Sequence, residues 1–224
     1  LHAPQAPLTA LGAAAQALRG DAGLRSVKIN VRPSFAVRWL IPRLPGFVAQ
    51  HPDIEPQVIT STLTPDHATE AFDLALRRGP RGWPPGMQVQ PFLEDEALVV
   101  GAPALFAQRP VAQPEALSAH VLLLSKSRSK DWESWKKLVS APALQPASCL
   151  QFDHLHFVLQ AALDGLGFAV APVSLITHDL ASGRLVSPLP SLRLPLTRHY
   201  LGLAPDPSPE TLRFVQWLQD EISA

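Results

Sequence analysis

The stretch that decides the fold is Ser26–His51, SVKINVRPSFAVRWLIPRLPGFVAQH. Val27, Ile29 and Val31 alternate with Lys28, Asn30 and Arg32, the period of two that marks a strand. Pro33-Ser34 makes a tight elbow, with Ser34 placed to cap a helix. Val37, Leu40, Ile41, Leu44, Phe47 and Val48 then fall at i, i+3, i+4, i+7, i+10 and i+11, a core-facing helical stripe. Pro42 and Pro45 conflict with an ideal helix, because an interior proline removes a backbone hydrogen bond at a cost of about 3 kcal/mol. A kink or an early end is therefore expected near Leu44. A strand, an elbow and a helix start are how an α/β lobe presents backbone N–H groups to a small anion. Nothing in the stretch looks catalytic.

Outward from it, Gln57–Ser61 reads as a second strand, Thr64-Pro65-Asp66 opens a helix to about Ala71, and Asp73–Arg77 is a third strand. Arg78–Gly86, RGPRGWPPG, is irregular. Val89–Leu93 and Ala97–Gly101 are further strands, the second a place for the chain to leave one lobe for another. A new α/β run follows. His120–Ser125 is an apolar strand, Asp131–Val139 a helix with Trp132, Trp135 and Leu138 on one face, and Cys149–Phe152 a strand. A helix from Asp153 has Leu155, Val158, Leu159, Ala162 and Leu166 in register and ends at Gly165 and Gly167. Phe168–Ala171 is a strand, Val173–Leu180 a helix, and Tyr200–Ala204 a strand. A last helix capped at Ser208 carries Leu212, Val215, Leu218 and Ile222 on one side. Strands alternating with helices in both halves indicate two α/β lobes with a ligand cleft between them.

The 224 residues, 46% apolar, suffice for one large core or two modest ones. Nineteen basic residues balance nineteen acidic ones, so no net field draws the chain to nucleic acid or an anionic membrane. Cys149 is the single cysteine, which excludes an internal disulfide and favours a reducing compartment. No apolar run reaches the roughly 18 residues of a membrane span. Leu1–Asp21 is Ala-rich with Leu8, Leu11 and Leu18 on one helical face, a frayed terminal helix or the tail of a coiled-coil linker. A start at Leu1 fits a fragment or a processed product.

The strong enzyme motifs are absent: no Gly-rich phosphate loop, CxxC, HExxH or GxSxG occurs. His154 and His156, two apart near a helix start, would point about 200° apart on an ideal helix and could not clamp one metal. Glu94, Asp95 and Glu96 read as a solvated turn. Lys126, Arg128 and Lys130, interleaved with serines, form either an anion-holding loop or a solvated one. Ser34, Thr60, Ser61 and Ser125 each lie just after a strand, so their hydroxyls would converge on one crevice, and a helix N-terminus there favours a carboxylate.

PSFAVRWLIPRLPGFVAQHPDIEPQV followed by FDLALRRGPRGWP resembles the effector-binding domain of LysR-type transcriptional regulators. DWESWKKL, FDHLHFVLQAALDGLGFAVAPVSLI and LASGRLV continue the likeness, closest to the glycine-cleavage-activator and β-lactamase-gene-regulator branches. Leu8-Thr9-Ala10-Leu11-Gly12 resembles the segment after the family's winged helix-turn-helix. The resemblance implies two Rossmann-like lobes joined by two crossover strands, the type 2 periplasmic-binding-protein fold. It divides the chain into a linker-helix remnant at 1–26, a first lobe at 27–98 plus 200–224, and a second at 99–199, with the winged helix-turn-helix outside this chain. It implies cleft positions at Ser34, Asp66, His154 and Tyr200, and with the strand-end hydroxyls and their neighbours the expected effector site is Ser34, Phe35, Thr60, Ser61, Asp66, Ser125, Phe152, His154 and Tyr200. His154 departs from the family's small residue after Phe-Asp, which argues against a muropeptide-like effector. No enzyme activity, cofactor, metal or membrane partner is implied. The expected partners are a small effector such as an amino acid, peptide or organic acid, a second copy of the chain in a dimer or tetramer, and DNA only through the missing domain, in the cytoplasm. The rival readings are a periplasmic solute receptor serving a transporter and an enzyme using a His and a carboxylate in the cleft.

Overall fold

Residues 25–223 are described by the structure, a computed structural model, so the expected helix at Leu1–Asp21 lies outside the described residues. Strand β1 (Arg25–Val31) sits between two parallel neighbours, β2 (Ile54–Thr60) and β3 (Leu74–Arg78), with Ile29 level with Val58 and Leu74. Antiparallel β10 (His199–Leu203) follows, and then β4 (Gln88–Leu93), giving the order β2-β1-β3-β10-β4. Val27, Ile29 and Val31 are wholly buried, as their alternation implies. Asn30 is buried too, against the alternation, because the Arg77 guanidinium donates to its side chain and its carbonyl.

The chain crosses at Glu94–Asp95 into β5 (Glu96–Val100), which pairs antiparallel with β8 (Ala169–Pro172) and with β9 (Leu194–Pro195). Parallel strands β6 (Val121–Ser125) and β7 (Ser148–Phe152) join this sheet through a bridge from Leu122 to Phe168. The second order is thus β7-β6-β8-β5-β9, the same pattern of three parallel strands, one antiparallel and one edge strand. In each lobe the antiparallel strand is the one formed by the chain arriving from the other. The second sheet begins at Glu96, three residues before Val99, where the second lobe was expected to start. β10 likewise begins at His199.

One apolar cluster runs from Val27, Trp39 and Phe47 through Leu98 and Val100 to Leu155 and Leu159, so it continues across both lobes. A second, under Trp132 and Trp135, fills the far face of the second sheet with Ala97 and Val99. The helix Pro209–Ser223, capped by the Ser208 hydroxyl at 3.1 Å from the Thr211 N–H, packs Phe214 and Trp217 on Phe47 at 4.7 and 5.3 Å.

Several helical expectations need correction. After one helical turn at Pro33–Phe35, Ala36–Leu40 is a π-helix, and a fresh helix starts at Leu44–Gln50 with Pro45 in its first turn. The wider π turn moves the apolar stripe out of phase, so Leu40 and Phe47 are buried while Val37, Ile41 and Val48 are exposed. Leu138, Leu166 and Leu212 are likewise exposed. The helix expected after Thr64 is only a 3₁₀ turn, Pro65–His67, and Val173–Leu180 is a 3₁₀ turn followed by a helix at Thr177–Ala181.

Candidate functional site: an arginine-lined cleft between the lobes

Arg32 follows β1, and Arg77 and Arg78 end β3, so all three side chains stand at the carboxyl ends of parallel strands, where open α/β sheets bind ligands. Opposite them, Arg128 follows β6 in a 3₁₀ turn at Lys126–Arg128. Between the lobes lies a cavity of about 240 Å³ to which these residues, Ser34, Phe35 and His199 contribute. Leu155, Pro172 and Leu175 of the second lobe form an apolar wall.

Three of these arginines are held by hydrogen bonds and ion pairs. Arg77 donates to the carbonyls of Leu76 at 2.8 Å, Asn30 at 3.0 Å and Ser61 at 3.4 Å, and to the Asn30 side chain. Arg78 donates to the Thr197 carbonyl at 2.8 Å and pairs with Asp95 at 2.5 Å. Arg128 forms a two-pronged pair with Asp131 at 2.5 and 3.0 Å. Burial pushes the Arg77 guanidinium down to about 10, helped by Arg32. Arg32 is lowered by burial and by Arg128, and Arg78 by burial with Asp95 opposing. His199 is driven to about 2 by burial first and then by Arg78 and Arg128, so it is neutral at any physiological pH.

Three contacts span the cleft. The Ser34 hydroxyl accepts the His156 backbone N–H at 3.1 Å and lies 3.2 Å from its Nδ1. Arg38 donates to the Leu175 carbonyl at 3.2 Å and pairs with Asp179, which also holds Arg184. Asp95, at the crossover, accepts the Ser174 hydroxyl at 2.6 Å and N–H at 3.2 Å. The acidic trio is therefore no solvated turn. The Asp95 side chain is buried, and Glu94 and Glu96 pair with Arg198 and Arg193, which precede β10 and β9.

Of the residues expected in the site, Ser34 and Phe35 line the cavity. The Ser34 hydroxyl bonds across the cleft and does not cap its helix. Thr60 is exposed at the end of edge strand β2. Ser61 accepts the Leu63 N–H at 3.1 Å, and Ser125 faces Ser127 at 2.9 Å, so the hydroxyls do not converge as expected. Asp66 is bonded to Thr64 and His67, Phe152 packs against the core, and Tyr200 sits one position past His199. His154 has extended backbone angles, φ −120° and ψ 150°, which brings its ring alongside His156 at 5.5 Å and 14°, not to opposite faces. Among the described residues no group of three or more His, Cys, Asp or Glu could hold a metal ion. The cavity residues unforeseen from sequence are Arg32, Arg77, Arg78, Arg81 and His199. The available signal was an arginine at the end of the first and third strands, β1 and β3.

A two-lobed α/β frame with a polar cleft at the strand ends defines a ligand-binding domain of the periplasmic-binding-protein type, and the chain belongs to the LysR substrate binding domain family, whose model matches residues 21–223. Its relatives are transcriptional regulators. The chain is 29% identical to the glycine cleavage system transcriptional activator of Escherichia coli K12, covering 84% of this chain and 61% of that protein. It is 30% identical to the HTH-type transcriptional activator AmpR of Rhodobacter capsulatus, covering 90% and 68%. The effector domain of AmpR of Pseudomonas aeruginosa superposes with a TM-score of 0.73 at 29% identity, covering 89% of this chain and 96% of that one. The AmpR effector binding domain from Citrobacter freundii gives 0.72 at 27%, covering 89% and 98%. The chain spans about three fifths of the length of its glycine-cleavage-activator relative. Among the described residues no helix is long and apolar enough to cross a membrane.

Proposed function

We propose that this chain is the effector-sensing part of a LysR-type transcriptional regulator acting in the cytoplasm, with no catalytic role. A small anionic ligand enters the interlobe cleft, and its occupancy changes how closely the lobes approach. That change sets the geometry of a dimer or tetramer whose DNA-binding domains lie outside this chain. The lobes divide at the crossovers, close to the expected 27–98 with 200–224 against 99–199 but with β1 starting at Arg25, β5 at Glu96 and β10 at His199, and the residues before Arg25 belong to the linker.

The observation that carries this reading is the cavity at the strand ends, with arginines contributed by both lobes. A ligand touching both sides binds the closed arrangement better than the open one, and only such differential affinity can shift the equilibrium. Ser34 and Phe35 are the first-lobe residues nearest this role. The other expected residues, Thr60, Ser61, Asp66, Ser125, Phe152, His154 and Tyr200, would act from the rim.

The test is a thermal-shift screen of amino acids, short peptides, organic acids and cell-wall fragments, followed by calorimetry on Ser34→Ala. Loss of the hydroxyl removes a cross-cleft bond worth about 1 kcal/mol, so the variant should fold while its effector binding weakens. An unchanged dissociation constant would defeat the assignment of Ser34. A transcriptional reporter driven by the intact regulator then links occupancy to output.

A further inference from the structure

The cleft holds more positive charge than its own surroundings answer. Arg32, Arg77, Arg78, Arg81 and Arg128 line it, and no aspartate or glutamate does. Asp95 and Asp131 answer Arg78 and Arg128 from outside the lining. Among the described residues no carboxylate stands within 4.0 Å of Arg32, Arg77 or Arg81. Three guanidinium charges are left over in one small space.

Two buried atoms point the same way. Arg77 is 4% exposed and His199 6%, yet Arg77 Nε and His199 Nδ1 have no hydrogen-bond partner. Buried polar atoms are nearly always satisfied, and of the six described side-chain atoms that are not, these two belong to residues that line the cavity. The Arg77 fork is already fixed by the Asn30 and Leu76 carbonyls, so its charge is held in place at the cavity wall. The rest of the wall is mainly apolar, with Phe35, Pro65, Leu76, Leu155, Pro172 and Leu175 beside the hydroxyls of Ser34, Thr64 and Ser127. At about 240 Å³ the space is below the roughly 300–1,000 Å³ of pockets for drug-sized molecules.

Resting on the sensing role proposed above, we infer that the cleft selects a small anion with two or more negative charges on a compact apolar body, one charge at buried Arg77 and another toward exposed Arg32 and Arg81. A monocarboxylate leaves two of the three surplus charges unmatched. A zwitterionic amino acid adds an ammonium to an arginine field. Dicarboxylates and phosphate monoesters share the required chemistry, since both meet a planar guanidinium with paired oxygens.

The experiment is calorimetric titration of this domain at constant ionic strength with succinate, phenyl phosphate, acetate and alanine, on the wild type, Arg32→Gln and Arg81→Gln. Both substituted positions are exposed, so the variants keep the fold. At least one dianion is expected to bind about tenfold or more tighter than acetate and alanine, and Arg32→Gln to weaken it by about tenfold. Preference for succinate or for phenyl phosphate separates the dicarboxylate from the phosphate monoester. Acetate or alanine binding as tightly as the dianions overturns the inference, as does dianion binding unchanged in both variants or no binding of either dianion. A neutral or singly charged compound that binds the wild type but not Phe35→Ala would then leave the sensing role standing and remove only the charge rule.

Discussion

His199 carries a testable consequence at the scale of single residues. Its folded form stays neutral down to about 2, whereas the unfolded residue protonates near 6.5. Between those values the unfolded chain binds a proton that the folded chain refuses, so stability is full above 6.5 and falls as pH drops through that window. At pH 5.5 the loss is about 1 kcal/mol, or about 2 to 4 °C in melting temperature. His120 and His156 shift in the same direction, both chiefly through burial, and add to the slope. Differential scanning calorimetry between about pH 7.5 and 5.5 should show this decline, and His199→Gln should flatten it. A variant with the wild-type slope would show that His199 does not carry the effect. None of this was legible beforehand, because a histidine's titration depends on what packs round it. The arginines were hidden for a related reason. A net charge of zero over the whole chain conceals five guanidinium groups drawn together by the ends of β1, β3 and the turn after β6.

Among the elements, β1 and the final helix were legible, since alternation at Val27, Ile29 and Val31 and the apolar face at Val215 and Leu218 are set by burial alone. The segment after Ser34 was only half legible. Pro42 and Pro45 announced a disruption, but a π-helix has no composition signature, so the exposure of Val37 and Ile41 could not be foreseen. Close approach of elements was equally invisible. A Cβ at Gly202 on β10 would come within 2.3 Å of the Trp83 ring, so Gly202→Ala should destabilise the domain by about 1–3 kcal/mol in urea denaturation. A smaller effect would mean that the 80–87 loop moves aside readily. The contact of Arg38 with Asp179 joins an element of each lobe, and Asp179 is 1% exposed. Asp179→Ala strands Arg38 and should cost about 3 kcal/mol, read in the same assay. Scattering of that variant should also show a wider distribution of lobe separations.

For the molecule as a whole, alternating strands and helices pointed to an α/β fold of two lobes, and Glu94–Asp95 lies just ahead of Ala97–Gly101, where the chain was expected to leave one lobe for the other. What the sequence concealed is how the sheets are completed. All five strands of the second lobe lie between Glu96 and Pro195. The first lobe has β4 paired only with β10, and β10 and the helix that covers β1 come after the entire second lobe. A fragment of residues 96–196 should therefore fold alone with a cooperative thermal transition, while residues 25–95 should not. Circular dichroism of the two pieces decides this, and a cooperative transition in the shorter one would contradict the topology. On the ribosome the order of maturation is then inverted. The half made first must wait as an unfinished sheet with β3 and β4 open, sheltered or chaperoned, until the half made second has folded and the last residues have emerged to close it.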